Sequence, residues 1–423
     1  MKKIFLGFGL FLGFISVKAQ ENDSLSLEQR MQNLENKHTG LEAVIDAMKK
    51  IKISGYIQSQ FQVAQSDNIS SFAGGNFPAN IDKRFQIRRG RIKFTYEGDL
   101  TKYVMQFEAT EGGVTVKEAY VKVTEPWSKW VSLQSGIQTR PFGFEVGYSS
   151  SLMESPERAR LSQLIFNAEE DLGAQIIINA PKTSRFNFLT LQGGFFSAVN
   201  PKSIDFDKFK DLIVRLSFIK ANKNQTVNYS GGISYYNGGY RAATNNLFEI
   251  TGNNKFTKTD SALLSSKAKR EYYGTDAQIS FESPVGLTTL RGEYIAGKQT
   301  ASSSSTASPL AAPSGDSYLR NFNSAYFYFV QAFAKTKFSI VAKYDWYNSN
   351  KDVEQSLIGT AVSNATAADI QYSTLGLGLI NRWSENVKFT AYYDIVKNKS
   401  TSLAGYTKDR KDNVFTLRVQ FKF

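Results

Sequence analysis

Basic side chains crowd one short stretch, Lys83-Arg84-Phe85-Gln86-Ile87-Arg88-Arg89-Gly90-Arg91-Ile92-Lys93-Phe94. Guanidinium groups hold oxyanions through paired, planar hydrogen bonds, and ammonium groups do so as point charges. Several of them lining one narrow space would concentrate anions and repel cations. Spacing says where they point. Phe85 and Ile87 are apolar at odd positions, whereas Ile92, Phe94 and Tyr96 continue at even ones. The alternation therefore slips once near Arg89-Gly90, as a β-bulge makes it do. Arg84, Arg88, Arg91 and Lys93 then share the polar face. A plainer use of the same charges competes with anion binding: they would pair with carboxylates across strands and satisfy a wall. Lys102, Lys117, Lys122, Arg215, Arg291, Lys343, Arg382, Lys388 and Arg418 extend the basic set on equivalent faces. Acidic residues there are fewer, among them Glu108, Glu118, Asp276 and Glu293.

Other chemistries have little to work with. The 423 residues contain no Cys and one His, His38. Disulfides, thiolate metal sites and Cys nucleophiles are excluded together. A single His leaves no His-rich zinc site and almost no scope for a Ser-His-Asp triad. No cofactor, metal or catalytic residue is expected, and the chain reads as a non-enzyme. A hydrolase is the weaker alternative, since its base would have to be His38. The formal charge of +13 would also suit nucleic acid, but the export signal and the strand pattern below argue against that partner.

What positions the basic residues is a long series of alternating segments. Ile51, Ile53, Ile57, Phe61 and Val63 oppose Lys52, Gln58, Gln60 and Gln62. Phe338, Ile340, Ala342, Tyr344 and Trp346 oppose Lys343 and Asp345. About sixteen such segments run from Lys50 to the last one, Phe415-Thr416-Leu417-Arg418-Val419-Gln420-Phe421-Lys422-Phe423. Some connections are short, such as 222–225 and 384–386; others, such as 299–320 and 351–369, are long and polar. This predicts an all-β transmembrane antiparallel barrel over 50–423, with apolar side chains on lipid and charges on a wet lumen. Two soluble sandwiches are the alternative, but a dry core would not accept the charged face.

The first 49 residues differ. Lys2-Lys3, the apolar run Ile4–Val17 and Ala19 predict a signal peptide over 1–19. Its removal takes the formal charge to +10. Leu27, Met31, Leu34, His38, Leu41, Ile45 and Met48 follow a 4-3 spacing, so 20–49 is expected to be a periplasmic coiled-coil helix. It would either assemble a homotrimer or pack on its own domain. Ser149 to Asp171 breaks the strand rhythm. Ser155 as cap and Pro156 at the first helical position predict a short helix there. Folded into the lumen, it would make Arg158 and Arg160 selectivity residues; it would otherwise lie on the surface.

Several motifs together resemble the phosphate-selective porin O and P family of Gram-negative, here Bacteroidetes-like, outer membranes. They are Phe85-Gln86-Ile87-Arg88-Arg89-Gly90-Arg91, Lys117-Glu118-Ala119-Tyr120-Val121, Gly136-Ile137-Gln138-Thr139-Arg140-Pro141-Phe142-Gly143 and Asp171-Leu172-Gly173. The resemblance implies a sixteen-stranded trimeric porin of the outer membrane passing phosphate or related anions by diffusion, with Arg140 added to the anion-binding set. Glu169 and Glu170 stand where that family commonly has a basic residue, a departure that bears on strict phosphate selectivity. The terminal Phe423 resembles the insertion signal read by the outer-membrane assembly machinery. A barrel that binds or adheres without conducting is the remaining alternative.

Overall fold

The structure, a computed structural model, describes residues 27–71, 75–197 and 204–423; the leader predicted over 1–19 lies outside them. Two units divide between Lys50 and Ile51. The first is helix α1, Leu27–Lys49. Its Met31, Leu34, Leu41 and Met48 are exposed. His38 is exposed too, with Nδ1 3.4 Å from Glu42 Oε1 one turn on.

The second unit is built from sixteen strands in chain order. These are β1 (Ile51–Ala64), β2 (Lys83–Glu97), β3 (Thr101–Thr110), β4 (Gly113–Thr124), β5 (Val131–Thr139), β6 (Glu170–Asn179), β7 (Leu189–Phe196) and β8 (Asp211–Ala221). There follow β9 (Val227–Arg241), β10 (Lys267–Ser283), β11 (Gly286–Ala301), β12 (Ser317–Phe333), β13 (Phe338–Asn348), β14 (Tyr372–Arg382), β15 (Val387–Asn398) and β16 (Val414–Lys422). Each pairs antiparallel with the next, and β16 returns to β1 in the register Tyr56↔Lys422 to Ala64↔Val414. The sheet is closed. Two further strands of the same sheet, Leu247–Ile250 and Phe256–Asp260, form a hairpin in the β9–β10 connection.

Burial is inverted relative to a water-soluble protein. In β16, Thr416, Arg418 and Gln420 are buried, while Leu417, Val419 and Phe421 are 46%, 39% and 46% exposed. In β1, Gln58, Gln60 and Gln62 are all within 2% of full burial. The period-two alternation puts polar side chains inside the closed wall and apolar ones around it. This is the arrangement that hydrocarbon outside and water inside would select.

The connections segregate. One rim carries the short turns 98–100, 125–130, 222–226, 284–285, 334–337 and 383–386; the other carries 65–82, 140–169, 242–266, 302–316, 349–371 and 399–413. The two-residue turn 111–112 is the exception on the long-loop rim. Because β3 stops early, β2 pairs with it only from Arg91 onward, and Lys83 to Gly90 have β1 on one side alone. There the Ile87 amide donates to the Glu111 carboxylate.

The phase slip in β2 is a bulge, displaced slightly from the predicted place. Gln58 faces Arg89 and Ser59 faces Ile87, so Arg88 is the extra residue. Consecutive Arg88 and Arg89 thereby both turn inward, where strict alternation would have sent one of them out.

With hydrocarbon against the outer face, Leu417→Arg should cost about 2–4 kcal/mol in protein refolded into lipid vesicles. Denaturant titration measures it. A change within about 0.5 kcal/mol, as at an ordinary wet surface, would mean that this face does not meet lipid.

Candidate functional site

The wall residues converge on one segment. The β5–β6 connection, 140–169, does not stay on the rim but folds into the lumen, where Ser150, Met153, Ser155, Glu157, Arg158 and Ala159 are buried. Its middle is polar and crosses from wall to wall. The Ser150 hydroxyl lies 2.6 Å from Tyr56 Oη, and Gln58 Nε2 donates to the Ser150 carbonyl at 3.0 Å. Lys388 Nζ donates to the Ser151 and Met153 carbonyls at 3.1 and 3.0 Å. Ser155 meets Tyr328 at 2.6 Å, and Arg291 pairs with Glu154 at 3.1 Å.

At the centre of this crossing stands Glu157. Arg88 grips it with two bonds, Nε to Oε1 at 2.6 Å and Nη2 to Oε2 at 2.7 Å. Arg89 and Arg418 each add a contact at 3.3 Å. Burial alone would raise this carboxyl, but Arg88, Arg89 and Arg418 outweigh it and hold Glu157 well below the usual carboxylate range. Glu169 is a second node. It takes Arg158 at 2.6 Å, Lys117 at 3.1 Å and Arg91 at 3.7 Å.

The ends of the same loop are anchored by apolar packing. Phe142, Val146, Leu161, Ile165 and Phe166 form one buried cluster with Tyr236, Tyr272, Ile295, Phe322 and Tyr347 from the inner wall. Phe142 and Phe166 are 5.1 Å apart, and both present edges to Tyr236 and Tyr272. Glu293 fixes the descending chain, accepting the Phe144 and Glu145 amides at 3.1 Å each. Gly143, at φ +62, has no room for a side chain, since a Cβ would overlap that carboxylate.

The short helix predicted to start at Ser155-Pro156 is corrected by four residues. Helix α2 spans Arg160–Ile165, because Glu157 is drawn out to the arginines. The capping carboxylate is Glu145, which accepts the Ala159 amide at 3.0 Å and the Ser162 hydroxyl at 2.6 Å.

Every residue of the candidate anion-binding set is already engaged. Arg84 donates twice to Gln62 Oε1 and lies over the Phe77 ring at 4.1 Å. Arg91 pairs with Glu108 at 2.7 Å, and Lys93 with Glu118 at 2.5 Å. Arg140 donates to the Ala168 carbonyl and stands 4.0 Å from Asp171. Arg158 also donates to the Glu145 and Tyr148 carbonyls at 3.0 and 2.7 Å. Arg160 stacks on Tyr372 at 3.7 Å, on the long-loop side. Arg215 sits on another part of the wall, 2.6 Å from Asp276. Arg88, Arg91 and Arg158 are thus gathered around the crossing; Arg160 and Arg215 are not. Glu157 and Arg89, both central to the crossing, were left out by sequence reasoning, which singled out Glu169 only as a departure from the family pattern. The doubled arginine at a phase slip was the available signal for Arg89.

Two lumenal cavities flank the crossing. One, about 300 Å³, is lined by Arg91, Lys93, Glu118, Arg158, Glu169 and Lys422. The other, about 240 Å³, lies among the long loops. A larger hollow of about 770 Å³ is on the outer apolar face, against Ile279, Leu290, Phe327 and Trp346.

Replacing the central carboxylate tests its hold. Glu157→Gln leaves Arg88, Arg89 and Arg418 facing one another, and losing one partner of a buried ion pair costs about 3–5 kcal/mol. Amides of 150–158 should exchange much faster than in the parent; unchanged exchange would show that the apolar ends alone hold the loop. The depressed Glu157 pKa also sets a pH window. Its stabilisation is fully present above the unfolded value of about 4.3 and is lost only as pH falls through the lower folded value. Exchange at 155–158, corrected for intrinsic rate, should therefore be the same at pH 7 and pH 5.

No protein-family model matches the chain, and no curated protein does. Solved structures match it across almost the whole barrel. A high-pH structure of Pseudomonas putida OprB aligns with a TM-score of 0.58 at 11% identity, covering 90% of this chain and 96% of that one. The outer membrane channel DcaP of Acinetobacter baumannii gives 0.53 at 12%, covering 88% and 97%. An anion-selective porin from Comamonas acidovorans gives 0.51 at 12%, covering 88% and 99%. Likeness at such identities is one of fold. The chain is a closed sixteen-stranded antiparallel barrel with the fold of outer-membrane channels and porins.

Proposed function

We propose that the protein is a passive outer-membrane porin, narrowed by the 140–169 loop, that favours small anions such as phosphate. The observation that carries the pore is the closed wall with its polar face inside and its apolar face outside. An aqueous path is what such an interior solvates, and lipid is what such an exterior requires.

Anion preference rests on a narrower point. The arginines around the crossing are matched by carboxylates, and at the short-turn mouth Lys52 and Lys102 share Glu97, but four other cations there are not matched. Among the described residues, Lys122, Arg382, Lys388 and Lys422 have no carboxylate within ion-pair distance. Arg382 donates to Ser339 Oγ at 2.9 Å, and Lys388 to loop carbonyls. An excess of positive charge at one mouth of a low-dielectric tube raises the local concentration of anions. The resemblance to the phosphate-selective porin O and P family points the same way. The paired state of Arg88, Arg91 and Arg158 favours a general anion preference over a dedicated phosphate site.

The full mouth set changed to Gln should move the reversal potential in a salt gradient away from anions. The shift should shrink between 0.1 M and 1 M salt, as the Debye length falls from ~10 Å to ~3 Å. Neutralising Arg84, Arg88, Arg91 and Lys93 should move it the same way, because Glu157, Glu108 and Glu118 are then left behind as fixed negative charge near the loop. No change from the mouth set would refute the anion reading, and no conductance at all would favour a barrel that binds without conducting.

We further propose that α1 assembles the chain into a homotrimer. The 4-3 spacing of its exposed apolar residues supports this, since a lone helix of its length is marginal without partners. Deleting residues 24–49 should leave a folded barrel with a weakened trimer on native gels. An unaltered oligomer would give the helix another role.

A further inference from the structure

The long loops form a small body of their own. Ile250, Phe256, Val353, Ile358, Ala365 and Ile370 make a buried cluster, and the buried Arg320–Asp369 pair, at 2.8 Å, ties β12 to the 349–371 loop. Arg320 also donates to the Ser302 carbonyl at 2.8 Å, and the Thr366 hydroxyl to Ser303 at 2.7 Å. The chain leading into Ser304–Thr306 is therefore held in place by these bonds.

Between this body and α2 lies the cavity of about 240 Å³. This is just under the ~300–1,000 Å³ of sites for drug-sized molecules, and suits one small ring. Two guanidiniums line it, each set on a tyrosine. Arg160 stacks on Tyr372, and Arg410 donates to Tyr406 Oη at 3.0 Å. Ser304, Ser305 and Thr306 add hydroxyls. Tyr347 also lines it at 2% exposure. Its hydroxyl lies beside Thr306 yet has no hydrogen bond of good geometry. Buried hydroxyls without partners are uncommon and call for one.

Charge narrows the class. Asp412, 2% exposed, is the buried carboxylate that interacts with both arginines, while Asp409, next to Arg410, is exposed to solvent, which screens its charge. Asp345, also near Arg160, is 3.4 Å from Lys343. Two guanidiniums against one buried carboxylate leave at most a single net positive charge, which suits a monoanion better than a phosphate dianion. We propose that this pocket binds a carboxylated monosaccharide, a uronate, with its carboxylate at Arg160 and Arg410 and its hydroxyls at Tyr347 and Ser304–Thr306. The inference rests on the porin reading only for how the solute arrives.

Titration calorimetry on the detergent-solubilised full chain tests it with glucuronate, glucose, glucose 6-phosphate and inorganic phosphate. Glucuronate should bind best. Arg410→Gln should weaken it by about tenfold, the order for one charged hydrogen bond, and Tyr347→Phe by several-fold. Asp412→Asn should strengthen it, an opposite sign that general loss of structure would not produce. Unshifted heat-modified gel mobility confirms that each variant is folded. Inorganic phosphate binding as tightly as glucuronate, or indifference to Arg410→Gln, would overturn the site. Calorimetry needs no open channel, so conductance without binding sinks the site, and binding without conductance sinks the porin reading.

Discussion

Everything in the barrel depends on its closure, the pairing of the first strand with the last. A strand edge facing hydrocarbon would strand its amides and carbonyls without partners, each at a cost of several kcal/mol. The register Tyr56↔Lys422 to Ala64↔Val414 removes that edge, and the backbone of Gly55 and Phe423 completes it by exchanging hydrogen bonds at 3.2 and 3.0 Å. Once the sheet is a tube, alternation has only one consequence. One face of every strand is enclosed and the other surrounds the molecule.

Enclosure then dictates the chemistry of the inner face. Charges held away from bulk water must find partners, and the inward loop supplies them: Glu157 for Arg88, Arg89 and Arg418, and Glu169 for Arg91, Lys117 and Arg158. The loop is as much a counter-charge for the wall as an obstruction in the path. What is left over after this matching is positive charge toward the short-turn mouth rather than the waist.

Much of this was legible from spacing. Strand number, the two faces, the contrast of short and long connections and the slip in β2 all follow from period-two patterns, which are local. The fate of the arginines was not. Arg88 and Glu157 are 69 positions apart and Arg418 and Glu157 are 261 apart, and no local pattern encodes a pairing across a lumen. The start of α2 was misplaced for the same reason. Ser155 and Pro156 look like a helix start to the chain around them, but Glu157 answers to distant cations and Ala159 to Glu145. The apolar cluster inside the tube was equally hidden, because Tyr236, Tyr272 and Phe322 occupy positions where alternation leads one to expect polar residues.

That cluster gives the constriction an uneven construction. Greasy abutments at Phe142–Val146 and Leu161–Phe166 flank a span, Ser150–Arg158, carried on ions and hydrogen bonds. The two kinds of support answer to different conditions, since apolar packing weakens on cooling whereas charge pairing responds to ionic strength. The loop therefore resembles a bridge whose deck can be loosened while its piers stay seated. Concentrated salt would make the waist of the tube restless without opening it, whereas cold would act on its footings.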